Sequence, residues 1–351
     1  MPVDEAKLQE FMGKMLGDLG SAMGAALVIV GDKLGLYKAV AAAGPINSVE
    51  LAERTATSER YVREWLAAQA AAGYLQYDVA TQRYSMTPEQ ELVFAAEGSP
   101  VFIPGAFEIV ASVLRDEPKI SEAFKSGRGV GWHEHDAALF RGTERFFRPG
   151  YTAHLIGEWL PALEGVREKL ERGAAVADVG CGHGSSTILM AKAFPKSTFV
   201  GFDYHQPSLD RATEAARQAG VVNVRFERAM AKDYPGKDYA LVAFFDCLHD
   251  MGDPAGAAAH VRSTLAANGT WMIVEPFAHD ALEANLNPIG RVFYAASTMI
   301  CTPASKSQEV GLALGTQAGE KRIREVVTAG GFTRFRRATE TPFNLVFEAR
   351  P

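Results

Sequence analysis

The sequence predicts an α/β protein, in which a doubly wound sheet of seven strands follows a smaller helical domain. Three patterns lead to this fold class. Short apolar runs alternate with helical stretches after residue 171. A glycine-rich turn follows the first of these runs, and a pattern of helix, turn, helix and hairpin lies within the first 96 residues. Alternation of strands and helices is what a doubly wound sheet requires.

The predicted strands are short apolar segments bounded by polar or turn residues. The last two are close enough in sequence to pair antiparallel. Ligands of such sheets bind beyond the carboxyl ends of the strands, so we expect the functional residues there. In chain order the predicted strands are Ala175–Val179, Thr198–Phe202, Val224–Phe226, Tyr239–Phe245, Gly269–Val274, Phe332–Ala338 and Phe343–Arg350.

The composition favours a cytoplasmic protein that acts on small molecules. The 351 residues are 47% hydrophobic, which is enough for a large core and two domains. A formal net charge of -6 argues against an extended nucleic-acid surface, because phosphate binding requires an excess of Lys and Arg. Three widely spaced cysteines fit reduced thiols, and the apolar run at 25–30 is too short to cross a bilayer. We therefore expect no export, no membrane span and no nucleic-acid partner.

The first 96 residues have the pattern of a winged helix. Apolar residues near helical spacing predict a helix over residues 4–30, which is suited to pairing two subunits in a homodimer. Ser48 is placed to cap a later helix, and a further helix runs from Ser58 to Gly73 before a short hairpin. A winged helix can bind DNA, but residues 27–96 contain six basic and eight acidic residues. This balance is typical of a solvated surface rather than of a helix that enters a groove.

A glycine-rich loop follows the first strand of the predicted sheet. Asp178, Gly180, Gly182 and Gly184 form the pattern D-x-G-x-G-x-G, and Asp203 ends the next strand about 20 residues later. Glycines let a ligand approach the backbone, and the following helix offers unpaired N–H groups. A carboxylate at that distance suits the hydroxyls of a ribose. The loop therefore predicts binding of a nucleoside-containing cofactor.

The spacing of the glycines distinguishes between two such cofactors. Dinucleotide folds require a last glycine where this chain has Ser185. The loop instead resembles the first motif of the class I S-adenosylmethionine-dependent methyltransferases, and residues 51–54, 62–66 and 72–75 resemble the winged-helix dimerisation domain of small-molecule O-methyltransferases. The resemblance implies a Rossmann-like methyltransferase sheet, an N-terminal winged-helix domain, a helical lid and the cofactor S-adenosyl-L-methionine.

With this resemblance the chain divides into three parts: a winged-helix dimerisation domain at 1–96, a helical linker and lid segment at 97–170, and a cofactor-binding methyltransferase domain at 171–351. Within the last, an insertion at 276–319 is expected to form a substrate lid. Met230 departs from the family pattern, because many relatives carry an acid beside the adenine amino group at that place. Besides the motif residues, the expected cofactor contacts are Tyr151, Tyr204, Met230, Ala231 and Asp246.

The fourth strand leads into residues 244–253, which resemble the H-D-W or H-D-M stretch of O-methyltransferases, where the histidine is the general base. By position, His249 is the candidate base, and Asp250 or Glu275 could orient its ring. An imidazole can accept the proton of a hydroxyl while the protein aligns the nucleophile with the methyl group. The alternative for His249 is a structural role, either capping the next helix or contacting Asp250.

Two segments are candidates for the walls of an acceptor pocket. His133 and His135 would share one side of an extended segment and could bind a metal, but no third ligand is evident nearby, so no metal is expected. For both histidines the alternative is ordinary lid packing, and for Arg291 it is a solvated position on a helix. The expected substrate contacts are Trp132, His133, His135, Arg291 and Tyr294.

Together these patterns predict a homodimeric methyltransferase that acts on a small aromatic or apolar acceptor, with oxygen as the methylated atom. Two alternatives stay open. One is a ligand-sensing regulator that binds the cofactor without turnover, and the acidic winged helix disfavours it. The other is a nicotinamide-dependent dehydrogenase, which Ser185 disfavours.

Overall fold

The computed structural model describes residues 2–351, and their contacts divide them into two compact units. One unit comprises the residues up to Ser112 together with Arg141–Pro149. The other comprises Val113–Phe140 and Gly150–Pro351. Each unit has its own hydrophobic core.

The first unit contains the predicted winged helix, in which helices precede and follow a two-stranded antiparallel hairpin. Gly73 follows the helix before the hairpin with a φ of +75°, a conformation that suits glycine at a helix end. The elements in chain order are α1 Glu5–Lys33, α2 Leu36–Ala43, α3 Ser48–Thr55, α4 Glu59–Ala71, β1 Gln76–Asp78, β2 Arg83–Ser85 and α5 Pro88–Phe94.

The beginning of α3 differs from the expectation. Asn47 is its N-cap, because the Asn47 side chain accepts the N–H of Glu50 (3.0 Å) and the Glu50 carboxylate accepts the N–H of Asn47. Ser48 is the first helical residue, and its hydroxyl donates to Glu59 (2.5 Å). The prediction of a Ser48 cap was wrong by one residue, since Asn and Ser are comparably good caps and stand side by side here.

Aromatic side chains form the core of the winged helix. Tyr37 lies edge-on to Trp65 (5.0 Å between ring centroids) and stacks on Phe94 (4.9 Å). The polar atoms of both larger rings are bonded, because Tyr37 donates to Gln69 (2.6 Å) and Trp65 donates to the Leu27 carbonyl (2.9 Å). Buried rings with satisfied polar atoms are strongly stabilising.

Helix α1 has a row of exposed apolar side chains. By length and composition it is apolar enough to cross a membrane, since an 18-residue stretch of it has a mean hydropathy of 1.3, and 17% of that stretch is buried. Large contiguous apolar surfaces usually mark an interaction site. Eight large apolar side chains of α1 are exposed, and seven of them lie between residues 8 and 23: Leu8, Phe11, Met12, Met15, Leu16, Leu19 and Met23.

The chain between the hairpin and the sheet is helical. Trp132–Glu134 is a turn of 3-10 helix, and Leu155–Trp159 is a turn of π-helix. The α-helices of this stretch are α6 Pro104–Ser126, α7 Ala138–His154, α8 Leu160–Ala162 and α9 Val166–Arg172.

The second unit contains the predicted seven-stranded sheet. The strands are β3 Ala175–Val179, β4 Thr198–Asp203, β5 Val224–Arg228, β6 Tyr239–Phe245, β7 Leu265–Pro276, β8 Arg334–Glu340 and β9 Asn344–Arg350. Their spatial order is β5-β4-β3-β6-β7-β9-β8, and the first five are parallel while β9 is antiparallel to both neighbours. The carboxyl ends of β3, β4, β6 and β7 therefore meet at one edge of the sheet.

The central strands are almost continuously buried, as a sheet covered on both faces requires. A further 3-10 turn, Leu248–Asp250, follows β6, and the insertion after β7 contains the 3-10 turn Leu282–Asn285 and the π-turn Ser297–Cys301. The helices of this region are α10 Ser185–Ala193, α11 Gln206–Gln218, α12 Pro254–Thr264, α13 Pro288–Ala296, α14 Thr302–Lys306 and α15 Gly319–Ala329.

Candidate active site

The glycine loop joins β3 to α10 at the carboxyl edge of the sheet. Gly180, Gly182 and Gly184 have φ values of +76°, +51° and +78°, which other residues adopt only with strain. A Cβ on Gly184 would lie 2.7 Å from the Phe226 ring, and one on Gly180 would lie 2.8 Å from the Cys247 sulfur. A Cβ on Gly182 would meet nothing within 4 Å. The outer glycines thus allow close packing, and the middle one borders open space that a ligand can use.

Asp178, the acid of the motif, is fully buried near the end of β3. Its Oδ2 accepts the hydroxyl hydrogens of Ser186 (2.7 Å) and Thr187 (2.6 Å), which ties the strand to the first turn of α10. Its Oδ1 is buried without a hydrogen-bond partner among residues 2–351. Desolvation raises the pKa of Asp178 to about 6. One oxygen therefore fixes the loop, and the other is available to an additional donor.

Asp203 ends β4, as the sequence predicts. Its carboxylate accepts the N–H of Gly182 (3.0 Å) and the N–H of His205 (2.9 Å). These bonds hold the carboxylate beside the glycine loop, and each oxygen keeps a lone pair for a hydroxyl donor. Desolvation raises the pKa of Asp203. This arrangement fits the two hydroxyls of a ribose.

The histidine segment differs from the expectation. Trp132–Glu134 is a 3-10 turn, so His133 and His135 do not share one side of an extended segment. The ring of His133 lies edge-on to Tyr204 (6.1 Å between centroids), whereas the buried His135 bonds through Nδ1 to Asp116 (2.9 Å). The prediction of an extended segment was wrong, because a 3-10 turn rotates successive side chains by about 120°.

The aromatic residues around this turn lie at the carboxyl end of β4. Phe140 stacks on His205 (4.4 Å between centroids), and Trp132 lies edge-on to Phe140 (5.7 Å). Since His205 follows Asp203 by two residues, the structure places Trp132 and His133 near the Asp203 carboxylate. Within residues 2–351, no group of three or more His, Cys, Asp or Glu side chains is arranged to hold a metal ion.

His249 and Glu275 form a buried pair at the same edge. The Nδ1 atom of His249 bonds to Oε2 of Glu275 (2.6 Å), and Oε1 accepts the N–H of Leu248 (3.0 Å). Both side chains are 4% exposed. Glu275 belongs to β7, which is parallel to and paired with β6, so adjacent strands deliver the two residues to one place. Of the two acids that the sequence offers for orienting the ring, Glu275 makes the contact.

Burial and the neighbouring side chains shift the pKa of His249 in opposite directions. Desolvation lowers its pKa, but the Glu275 carboxylate and the Cys301 thiol outweigh this effect and hold the pKa of His249 well above 6.5. Glu275 accepts from Nδ1–H, so Nε2 is the acceptor nitrogen when the ring is in its neutral form, which the raised pKa moves to higher pH. Cys301, in the insertion, interacts electrostatically with the ring. Sequence reasoning missed Cys301, since no local pattern indicates that it would approach His249.

Asp246 follows β6 directly and has a φ of +50°, a left-handed conformation that only a few per cent of non-glycine residues adopt. The Tyr151 hydroxyl donates to its Oδ2 (2.7 Å), and the Asn344 amide donates to its Oδ1 (2.9 Å). Desolvation raises the pKa of Asp246 to about 8. Sequence reasoning missed Asn344, which reaches the site because β9 pairs with β7 and places it opposite Pro276.

Four other residues were predicted to contact the cofactor or the substrate, and they differ in exposure and position. Met230 is 48% exposed, and its N–H donates to Asp233 (2.9 Å). Ala231 packs against the core of the sheet unit. Arg291 is exposed and Tyr294 is half-buried on α13, where their spacing places them on one side of the helix.

The insertion after β7 contains a cavity of about 530 Å³. Its wall includes Phe277, two residues after Glu275, and Gln317, two residues after Gly315. The Gly315 N–H donates to the His249 carbonyl (3.1 Å). Because two residues span at most about 7 Å, the cavity lies close to the segments that hold His249. Its other lining residues are His279, Asn285, Asn287, Pro288, Ile289, Gly290 and Pro342.

Comparison with known protein families agrees with this arrangement. Residues 170–326, which include the glycine loop, Asp203 and the His249–Glu275 pair, match the family model of the Methyltransferase domain. Residues 22–95 match the model of the Rv2258c-like winged HTH domain. Residues 170–326 therefore form a methyltransferase domain, which follows an N-terminal winged-helix domain.

Several solved structures share the fold of this chain along almost its whole length. Mitomycin 7-O-methyltransferase has a TM-score of 0.70 at 16% identity, with 99% of this chain and 100% of that chain covered. An O-methyltransferase family protein from Burkholderia thailandensis gives 0.68 at 15% identity, with 100% and 99% covered. Human N-acetylserotonin methyltransferase, solved with S-adenosylmethionine, gives 0.69 at 14% identity, with 100% and 99% covered.

The chain also matches curated tRNA (guanine-N(7)-)-methyltransferases, among them those of Shewanella pealeana and Vibrio cholerae. Identity is 40% over 50 residues, which is 14% of this chain. The chain spans 21% of the length of these relatives. The match is too short to transfer their substrate.

Proposed function

We propose that this methyltransferase transfers the methyl group of S-adenosylmethionine to an oxygen atom of a small aromatic or otherwise apolar acceptor. The observation that carries the proposal is the buried His249–Glu275 pair at the edge shared with the glycine loop. Support also comes from structural neighbours whose names include a mitomycin 7-O-methyltransferase and an N-acetylserotonin methyltransferase, both named for small molecules.

The cofactor is assigned to the carboxyl ends of β3, β4 and β6. The backbone at Gly182 borders open space, and Asp203 has lone pairs for the ribose hydroxyls. Tyr204 and Tyr151 flank this region, and Asp178 keeps one oxygen without a bonded donor among the described residues. Bound S-adenosylmethionine supplies an electrophilic methyl group, and the protein aligns the acceptor oxygen with it.

His249 is proposed as the general base. Its Nε2 accepts the proton of the acceptor hydroxyl as the oxygen bonds to the methyl group, and the Glu275 carboxylate beside Nδ1 stabilises the resulting imidazolium. The pair is almost fully buried, so little water competes for the proton.

The acceptor class is inferred from the cavity of the insertion and from the surface of the winged helix. Phe277, Pro288 and Ile289 give the cavity apolar walls that suit a ring system. Helix α4 has the position of a DNA-recognition helix in the winged helix. Its two arginines are each paired with a glutamate, which leaves little positive charge for binding phosphate groups. We therefore propose a small-molecule acceptor and no nucleic-acid partner.

The exposed apolar side of α1 supports a homodimer as the assembled state. Its seven large apolar side chains between residues 8 and 23 are surrounded by water in a single chain, and a second copy of α1 would bury them. The three cysteines are free thiols, which supports a reducing, cytoplasmic location.

The test is transfer of a labelled methyl group from S-adenosylmethionine to a panel of phenols, amines, thiols and transfer RNA. We expect transfer to a phenol, and we expect His249→Gln and Glu275→Gln to lower kcat, by roughly 10²-fold or more for His249. His154→Gln is the matched control, since His154 also pairs with a glutamate, Glu158 (2.9 Å), but on the surface.

Two results would contradict the proposal. Equal rates for wild type and His249→Gln at both pH 7 and pH 9 would remove His249 as the base. Methyl transfer to RNA with none to any small acceptor would overturn the acceptor class.

A further inference from the structure

The loop that contains His249 is hydrogen-bonded to the insertion at four successive carbonyl groups. All four donors belong to segment 305–315, which lies at least 54 positions further along the chain. Residues 249–252 are therefore held along their whole length by one distant segment. The bonds are Gly315 N–H to the His249 carbonyl (3.1 Å), Gln308 Nε2 to Asp250 (3.0 Å), Ser305 Oγ to Met251 (2.8 Å) and Leu312 N–H to Gly252 (2.9 Å).

Ser305 is the buried centre of this contact, with an exposed fraction of 0%. Its hydroxyl donates to the Met251 carbonyl and accepts the N–H of Ala313 (2.9 Å), so one side chain joins the loop to the far end of segment 305–315. Removal of the hydroxyl would leave both backbone groups without this partner. The loss of a buried hydrogen-bond partner costs more than the loss of an exposed one, because water does not replace it.

Gln308 holds the same loop from the surface. Its Oε1 accepts the N–H of Gly252 (3.0 Å), and its Nε2 donates to the carbonyls of Asp250 and Ala304 (3.0 Å each). These three bonds fix the orientation of the amide, since a flipped amide would place its oxygen against two carbonyl oxygens. Gln308 is exposed, so water can replace part of its bonds, and we expect it to contribute less than Ser305.

Segment 305–315 is held in a conformation that its own residues disfavour. Val310 and Ala313 have φ values of +71° and +53°, and they are two of the six non-glycine residues with positive φ within residues 2–351. For a β-branched residue such as Val310 this conformation is rare. Strained backbone persists only where the surrounding contacts fix it, and it is frequent at functional sites. The bonds to residues 249–252 are contacts of this kind.

We propose that Ser305 and Gln308 are positioning residues, which hold residues 249–252 so that the His249 ring stays in place for proton transfer. The ring needs this support because its backbone lies in the single 3-10 turn Leu248–Asp250, which no longer helix continues. A displacement of about 1 Å at a reacting group can lower the rate by about 10²-fold. The inference rests on the proposed function for the role of His249 as the base.

Ser305→Ala tests the proposal by comparing turnover with cofactor binding. We expect kcat with a phenol of the panel above to fall by about 10- to 100-fold. The Kd of S-adenosylhomocysteine, measured by calorimetry, should stay close to that of the wild type, since within residues 2–351 neither positioning side chain bonds to the glycine loop or Asp203. Gln308→Met should lower kcat less, and its exposed position lets the chain fold even if Ser305→Ala does not.

Gln90→Met is the matched control in the winged helix. Gln90 also joins an N–H group to a carbonyl group, because its Oε1 accepts from Thr87 (2.9 Å) and its Nε2 donates to Gly73 (2.9 Å). It makes no printed bond to residues 249–252, and kcat should stay at the wild-type value.

The position of the ring can also be measured without turnover. The proton shared by His249 Nδ1 and Glu275 Oε2 (2.6 Å) should give a low-field proton resonance, which the spectrum of His249→Gln assigns. We expect Ser305→Ala to shift or broaden this resonance. The buried His135–Asp116 pair (2.9 Å) is the internal reference and should not change. A variant that only lowers the fraction of folded chain would weaken both resonances equally.

The outcomes separate this inference from the proposed function. If Ser305→Ala and Gln308→Met both keep the kcat and the His249 resonance of the wild type, the inference is overturned and the proposed function stands. A lower kcat with an unchanged His249 resonance would also overturn it, because the ring would not have moved. Full activity of His249→Gln would overturn the base itself and with it the role of both positioning residues.

Discussion

Charged side chains are exposed in the winged helix but buried at the cofactor edge, which is the edge of the sheet formed by the carboxyl ends of β3, β4, β6 and β7. On α4, Arg60 pairs with Glu64 (2.6 Å) and Arg63 pairs with Glu59 (2.7 Å), with the arginines more than 60% exposed. At the cofactor edge, Asp178 is fully buried and bonded to two hydroxyls. Exposed pairs contribute little to stability, whereas a carboxyl group taken out of water lowers it. The winged helix therefore keeps these charges in water as pairs, whereas the cofactor edge holds carboxyl groups that are buried.

This contrast implies that the winged helix is stable because of its packing. Trp65→Ala removes a buried ring that contacts Tyr37, and we expect the free energy of unfolding to fall by about 3–5 kcal/mol. Urea unfolding of wild type and variant measures it. Tyr61→Ala on the same helix is the control, since Tyr61 is 80% exposed, and its effect should stay within about 0.5 kcal/mol. A loss below about 1 kcal/mol for Trp65→Ala would contradict a packed aromatic core.

The two regions also differ in how far the sequence predicts them. Ala175–Val179 and Tyr239–Phe245 were predicted with the ends that the structure shows, because buried parallel strands are continuous apolar runs. Arg334–Glu340 lies two residues beyond its predicted position, because it is an edge strand with a mixed, half-exposed pattern. Local apolar patterns thus predict the boundaries of the central strands better than those of the edge strand.

The residues around the site show where sequence reasoning ends. The glycine loop is a local motif, and its conformation follows from residues that are adjacent in the chain. Asn344 and Cys301 reach Asp246 and His249 from distant segments, through the pairing of β9 with β7 and the path of the insertion. Such contacts depend on tertiary packing, which no short pattern contains. Their roles, like those of the predicted site residues, stay predictions.

The cofactor edge should make the stability of the protein depend on pH. The folded pKa values of Asp246 and Asp250 are about 8 and about 7, above the ordinary 3.8, and that of His249 is raised above 6.5. A raised folded pKa means that the native state holds the proton more tightly, so stability is lost as the pH rises through that pKa. We expect the free energy of unfolding to fall between pH 6.5 and 8 by about 1 kcal/mol per pH unit.

Urea unfolding at several pH values in this window measures the slope. Asp246→Asn should make it shallower, because one of the titrating groups is gone. Asp78→Asn is the control, since hydrogen bonds lower the pKa of the exposed Asp78 and its titration lies below the window. Stability that stays constant or rises between pH 6.5 and 8 would contradict the raised pKa values, because carboxyl groups with ordinary pKa values bind no protons in this window.

The smallest effect is expected on the surface of α4. A double-mutant cycle with Arg60→Ala and Glu64→Ala should give a coupling free energy of at most about 0.5 kcal/mol, because both side chains are more than 60% exposed and water screens their attraction. The Arg145–Asp32 pair of the same unit (2.6 Å) is the comparison, with side chains only 15% and 9% exposed. Urea unfolding of both cycles should give the larger coupling for Arg145–Asp32, since less water screens that pair. Equal coupling free energies would mean that burial does not strengthen ion pairs in this protein. That result would contradict the explanation of the difference between the winged helix and the cofactor edge.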